Sequence, residues 1–453
     1  MAQVVPFRGL YFNPAQIPDL TQVVTPPYDV ISPAQRADFA ARHPHNMVHL
    51  ILPQTLPGDN RLHNRYTRTA ALFREWLRRD VFLRDPEPAY YYWETEFQHQ
   101  GRTFVRRAFA ALVRLEPFSR GVILPHEQTF SQIKEDRLEL IKHSRAHFSP
   151  IFSLFPDPQD DILREMERLR PDDPLVHCTD AEGRLQRLYR LTEPRRLQSI
   201  FQALAPLPLY IADGHHRYET ALAFQKWMKD LYPQAGPRAP FHYVLMYLAN
   251  LYDTELVILM AHRMLGGRLL KRLEEGRLLT RLEDYFQVTP LPRPAGEAGA
   301  YELLIQQQLD AADPADTVFV FLGFGLKAWR LQLRPGVRQE LLAQQMHPAL
   351  AQLDVAVLNY LIFDRILGLD AKALDDPETC TYDSKIPEVL AALQERRANC
   401  AFFLNPTKIE QVRQVAEAGL IMPRKSTYFY PKVMTGLILN PLNTDEEMTL
   451  PEA

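Results

Sequence analysis

Leu207-Pro208-Leu209-Tyr210-Ile211-Ala212-Asp213-Gly214-His215-His216-Arg217-Tyr218-Glu219-Thr220-Ala221 is the stretch on which the fold reading turns. Leu207 to Ile211 is a short apolar, β-prone run, which predicts a strand. Tyr218 to Leu231 carries Phe224, Trp227, Met228 and Leu231 at helical spacing, which predicts a helix. Between them lies a dense polar turn, Asp213 to Arg217. A strand that passes through a glycine turn into a helix is a natural anion site. The first helical N–H groups lack partners inside the helix and carry partial positive charge. Gly214 lets the backbone approach a ligand closely, and Arg217 adds a planar fork of donors suited to phosphate. His215 and His216 can donate to anionic oxygens or move protons. Asp213 can orient a histidine, cap the helix or hold a metal. The alternative, a capped helix with incidental polar residues, fits a lone Asp-Gly better than a polar run wedged between two apolar elements.

Working outward, strands and helices interleave, but hairpins occur too. Ala89 to Phe97 and Thr103 to Leu115 are joined through Gln98-His99-Gln100-Gly101, with Val105, Phe109, Ala111 and Val113 at even spacing along one buried face. Thr317 to Phe321 and Ala328 to Leu333 predict a second hairpin. Asn64 to Arg79, Ser131 to His147, Asp161 to Arg168, Leu269 to Phe286 and Asp354 to Leu367 predict helices, the second with Thr129 and Gln132 spaced as a capping box. Further strands are expected at Val122 to Leu124, Ser149 to Phe155, Tyr243 to Ala249 and Glu255 to Met260. The expected fold class is α/β with a mixed sheet. Gly and Pro content sets segment boundaries near Ala235–Pro240 and Arg334–Gly336, giving regions 1–237, 238–335 and 336–453.

Four other places carry chemistry. His126-Glu127 sits at a strand-to-helix junction, where a carboxylate can act as general base toward a hydroxyl. Beyond it, Lys134-Glu135-Asp136-Arg137 is a charge run that reads as a solvated helix face, or as a pair in which Lys134 and Arg137 reach one ligand. His262-Arg263 follows an apolar strand, at the kind of strand end where α/β sites lie. Lys425, Ser426 and Lys432 offer donors that can clamp a phosphate or carboxylate. His143 and His147 have the i, i+4 spacing of zinc ligands but no third ligand, and read as surface residues.

Composition narrows the classes. With 46% hydrophobic and 24% charged residues the chain is ordinary globular protein, and a formal net charge of −3 gives no drive toward nucleic acid or an anionic membrane. The three cysteines form neither a metal spacing nor an even disulfide set, which suits a reducing cytoplasm. The opening residues lack the charged start and apolar run of a signal peptide, and no apolar stretch is long enough for a membrane helix. The 37 prolines against 18 glycines predict many short elements with stiff connections. No Walker-type loop, dinucleotide fingerprint or nucleophile elbow occurs.

Pro6-Phe7-Arg8-Gly9-Leu10, Pro26-Pro27-Tyr28-Asp29-Val30-Ile31, Pro125-His126-Glu127, Lys134 to Arg137, Ala212 to Ala221 and Lys425 to Lys432 resemble the signature blocks of the bacterial and archaeal domain-of-unknown-function family 1015. The Asp-Gly-His-His-Arg loop is also similar to the site loop of the ParB/sulfiredoxin superfamily, which includes free-serine kinases. That resemblance implies a ParB/sulfiredoxin-like core and a donor-phosphate role for Asp213, Gly214, His215, His216 and Arg217. It implies phosphoryl transfer from ATP, ADP or pyrophosphate to a small-molecule hydroxyl, with free serine the candidate acceptor. In that reading Glu127 is the base, assisted by His215 and His216. Mg²⁺ bridges the donor oxygens, with Asp213 as candidate ligand. His126, Arg263, Lys425, Ser426 and Lys432 bind substrate. The other reading is a nucleotide-binding switch without transfer, as in the partition proteins. A small-molecule partner is expected, nucleic acid and membrane are not, and self-association is left open.

Overall fold

The computed structural model describes residues 1–451 apart from 128, 130, 267–274, 295–297 and 314. Where the sequence suggested three consecutive regions, the chain forms two compact units. The first comprises Met1–Pro125, Thr129–Val257 and Pro431–Ala453, and the second His126–Gln128 and Ile258–Tyr430. The fold is α/β, with mixed strand directions in the first unit and helices around the sheets.

The first unit is built on one large sheet. Its strands run in the order Ile123–Leu124, Leu209–Asp213, Ile151–Phe155, Tyr243–Asn250, Arg102–Arg114, Tyr90–His99, Leu185–Leu191 and Val176–Thr179, with Val4–Val5 paired to Arg102–Arg114. Two of these pairings are parallel, Leu209–Asp213 with Ile123–Leu124 and Tyr243–Asn250 with Ile151–Phe155. The expected hairpin is present, with Phe109 opposite Tyr92. Even spacing suggested one buried face, but both are covered. Phe109, Ala111 and Val113 join the core on one side, and Ala108, Ala110 and Leu112 are equally enclosed on the other. A strand covered on both faces reads as a continuous apolar run, and this one does from Ala108 to Val113.

Three helices of this unit pack in series, the last of them opening at the Gly214 turn. Arg65–Arg78 packs on Ser131–Ser144, which packs on His215–Leu231. Asn64 caps the first of these helices through its side chain, in a reciprocal arrangement with Thr67. The second ends at Ser144, earlier than expected. Arg145 takes a left-handed conformation, and Ala146–His147 becomes a short strand paired to Asn440–Pro441. His143 and His147 therefore do not share a helix face. The proposed capping box involves Gln132, whose side chain lies outside the described residues. The Thr129 hydroxyl donates instead to Glu219, at 2.6 Å.

The second unit holds an antiparallel sheet in the order Phe286–Leu291, Ala328–Leu333, Val318–Leu322, Cys400–Leu404, His262–Leu265 and Cys380–Asp383. Alternation is strict here. Phe319, Phe321, Phe402 and Leu404 face one core, while Val320, Leu322, Ala401 and Phe403 face the other. The apolar helix expected from Asp354 begins as Asp354–Val357 and continues with wider turns over Leu358–Ile366. The helix expected from Leu269 starts outside the described residues; Glu275–Glu283 is helical, and Phe286 already opens a strand. Among the described residues no helix is long and apolar enough to cross a membrane.

Asp354 supplies a pH test of this packing. Its carboxyl accepts the Thr317 hydroxyl at 2.7 Å, and burial pushes it up to about 6 from an ordinary 3.8. Between those values the folded chain holds a proton that the unfolded chain has released. This group's stabilising contribution is therefore complete below about pH 4 and is lost as pH rises through 6. We expect Asp354→Asn to gain about 2 kcal/mol over the parent between pH 4 and 7 in urea unfolding. A pH-independent difference contradicts the burial.

Candidate functional site

The turn is tighter than the sequence suggested. The strand Leu209–Asp213 runs through Asp213, the helix His215–Leu231 starts at His215, and Gly214 alone makes the turn. Its φ of +97° lies in the left-handed region that a side chain resists. A Cβ there would stand 2.8 Å from the Arg217 guanidinium, which folds back over the glycine. The pairing of this strand with Ile151–Phe155 also shifts register between Ile211 and Asp213. That irregularity re-aims the strand's last residue, as bulges beside functional sites do.

The helix start is electrostatically inverted. Most helices place a capping acceptor or an acidic residue at this end. Here Gly214 supplies no side-chain cap, the first turn contains no acid, and His215, His216 and Arg217 fill it. His215 is buried and His216 partly so. Asp213, just before the turn, is the compensating charge. Its Oδ2 accepts from Arg217 at 2.6 Å, and its Oδ1 accepts from Lys432. Two cations thus share one carboxylate. Arg217 is steered further by donating to the Pro150 carbonyl.

Lys432 reaches this place through a residue that the sequence reading missed. Arg106 is buried in the Arg102–Arg114 strand. It donates to the Pro431 carbonyl at 2.7 Å and to the Tyr247 hydroxyl at 3.0 Å, and stacks over Phe152. Period-2 counting puts Arg106 on the same face as Ala108, Ala110 and Leu112. An arginine on an otherwise apolar buried face was the available signal.

The Lys134–Arg137 segment is more than a solvated face, and its two cations do not converge on one point. Lys134 pairs with Glu219 at 2.6 Å. Asp136 is shared: Arg65 binds Oδ1, Arg137 binds Oδ2, and the Tyr66 hydroxyl donates at 2.7 Å. Arg137 lies over the Tyr28 ring, 4.3 Å from its centroid. Tyr28, Arg137, Arg217, Thr220, His147 and Ser149, with apolar neighbours, line a cavity of about 80 Å³. Burial pushes the Tyr28 phenol up to about 12, so it stays protonated at neutral pH and can donate. Burial alone pulls His147 down to about 3, so it is neutral there.

The remaining candidates lie in the second unit. His126 is fully buried, with Nε2 3.0 Å from the Thr427 hydroxyl. Glu127 accepts the Lys425 backbone N–H at 3.0 Å, and Lys425 takes a φ of +55°. The Ser426 hydroxyl donates to the Pro423 carbonyl. His262 and Arg263 come just after the strand Val257–Leu259 and open the inner strand His262–Leu265. Arg263 is 1% exposed, and its guanidinium donates to the carbonyls of Ala261, Arg424 and Lys425. Burial pulls it down to about 10. Through these bonds it anchors the Lys425 loop.

Asp213 does not fit the metal role. Each of its oxygens already faces a cation, and no group of three or more His, Cys, Asp or Glu suited to a metal occurs among the described residues.

Comparison with known proteins assigns the family. The model described as "Protein of unknown function (DUF1015)" matches residues 4–356, and the chain belongs to that family. Among solved structures it is similar to a conserved hypothetical protein from Pyrococcus furiosus, at 13% identity over 72% of this chain and 92% of that one, with a TM-score of 0.34. It is also similar to a free serine kinase in complex with AMP, at 11% identity over 72% and 91%, with a TM-score of 0.35. A third is SbnI with C-terminal truncation from Staphylococcus aureus, at 12% identity over 74% and 90%, with a TM-score of 0.34. No curated protein matches.

Arg106→Met tests the placement of the Pro431–Lys432 segment. We expect a loss of about 2 kcal/mol in urea unfolding, because the Pro431 carbonyl and the Tyr247 hydroxyl lose their buried donor. A variant as stable as the parent contradicts the anchoring role.

Proposed function

We propose that this member of the DUF1015 family transfers a phosphoryl group from a nucleotide or pyrophosphate to the hydroxyl of a small molecule, with free serine the candidate acceptor. The observation that carries the reading is the cationic, uncapped start of the helix His215–Leu231 beside the paired Asp213, Arg217 and Lys432. An anion at that point would offset the helix dipole and take donors from the basic first turn. Phosphoryl transfer needs little covalent chemistry from the protein; positioning and charge neutralisation supply most of the effect.

In this reading the N–H groups after Gly214 and the Arg217 fork hold the donor phosphates. His215 and His216 donate to their oxygens as charge develops. Lys432 pairs with Asp213, and Asp213 fixes the Arg217 fork. Glu127 takes the hydroxyl proton, a role assigned from its chemistry and its place in Pro125-His126-Glu127. Lys425 and Ser426 serve the acceptor. The residues do not fit a protein-held Mg²⁺, and no step is assigned to one. The engagement of both Asp213 oxygens also favours a second reading, nucleotide binding without transfer.

The test is incubation with serine and ATP, ADP or pyrophosphate, with phosphoserine as readout. The reading expects product with one donor and a loss of about a hundredfold in Arg217→Gln with the helix content retained. Saturable nucleotide binding with no product from any donor supports the switch instead.

A further inference from the structure

The cavity of about 80 Å³ in the first unit holds two donors that the fold leaves unspent. His147, on the short strand Ala146–His147, lines it and is only 8% exposed. The Asn440 side-chain nitrogen stands 3.2 Å from its Nδ1. An amide nitrogen only donates, so Nδ1 accepts and the ring proton sits on Nε2. Nε2 makes no hydrogen bond among the described residues, and it stays open to a molecule the size of water, whereas the Thr220 hydroxyl in the same wall is sealed. With the ring held neutral by burial, Nε2 donates at neutral pH. The second donor is the Tyr28 hydroxyl. Its ring lies against Arg137, and the hydroxyl makes no hydrogen bond among the described residues.

Arg137 and Arg217 complete the polar wall, and no carboxylate lines it. Both arginines spend their terminal nitrogens elsewhere, Arg137 on Asp136 and the Ile51 carbonyl, Arg217 on Asp213 and the Pro150 carbonyl. They add positive field to the cavity and no free fork. Two neutral donors in such a wall call for an accepting oxygen, and a charged one accepts more strongly. An ammonium would meet like charge and no carboxylate. The remaining wall, with Phe148, Ile151 and Val244, is apolar and takes an alkyl body. Size caps that body, since the volume is roughly half the ~150 Å³ of a cavity that admits benzene. We propose that this cavity binds a short-chain monocarboxylate, its oxygens accepting from His147 Nε2 and the Tyr28 hydroxyl and its alkyl end on the apolar wall. The proposal does not rest on the phosphoryl-transfer reading of the Gly214 turn.

Propionate is a suitable probe, titrated into the full chain by calorimetry and followed in parallel by the nitrogen resonances of its histidines. The proposal expects saturable one-to-one binding that shifts the His147 Nε2 resonance. Tyr28→Phe, which deletes only the hydroxyl, should weaken binding about tenfold with helix content retained. Propionamide, of the same shape without the charge, should bind at least about tenfold more weakly than propionate. Benzoate, too large for the volume, should not move the His147 resonance. Propionate binding that leaves His147 unshifted, or that is indifferent to Tyr28→Phe, places the carboxylate elsewhere and overturns the proposal. Propionamide binding as tightly as propionate, or no saturable binding of propionate, overturns it as well.

Discussion

The Asp213 carboxylate, held between Arg217 and Lys432, is the interaction on which the first unit's candidate site depends. It sets an acidic group against three basic-type side chains at the positive end of a helix. One cation comes from the helix's own first turn and the other from the far end of the chain. The glycine between strand and helix exists for the same reason, because any side chain there would collide with the Arg217 guanidinium. A partly buried charge cluster of this kind costs stability unless its members are well paired.

The surrounding elements hold that balance in place. Arg106 brings Pro431 and so Lys432 to the turn, from a strand otherwise buried on both faces. Glu219, one turn into the helix, is engaged by Thr129 and Lys134, so the helix His215–Leu231 is tied to its neighbour at the same end as the turn. Asp136 then links that neighbour to the helix Arg65–Arg78 through Arg65 and Tyr66. The charge run at Lys134–Arg137 is thus a set of structural ties, each with its own partner.

Local physics was legible in the sequence, and long-range pairing was not. Amphipathic spacing located Arg65–Arg78, and β-branched and aromatic runs located both hairpins. The turn was identified as a strand-to-helix junction, although the helix begins at His215 and not Tyr218, because Gly214 completes the reversal alone. Lys432 was identifiable as a basic residue, but nothing periodic ties it to Asp213, 219 positions away. His262-Arg263 looked like a strand end because a polar pair followed an apolar run. The apolar run is short, a new strand starts at His262, and Arg263 spends its donors on backbone carbonyls inside it. Asp213 looked like a metal ligand for want of its partners. The division into units was hidden for a similar reason, since the final segment Pro431–Ala453 returns to the first unit after the whole second unit has been traversed.

The central claim is that the helix start at His215 is built to receive phosphate. A crystal structure with imidodiphosphate, a non-hydrolysable analogue of pyrophosphate, addresses it most directly. The account predicts anion density within hydrogen-bond distance of the backbone N–H groups of His216 and Arg217, with the Arg217 fork on the same oxygens. Density confined to other surfaces at saturating analogue, with the Asp213, Arg217 and Lys432 cluster unchanged, would contradict it.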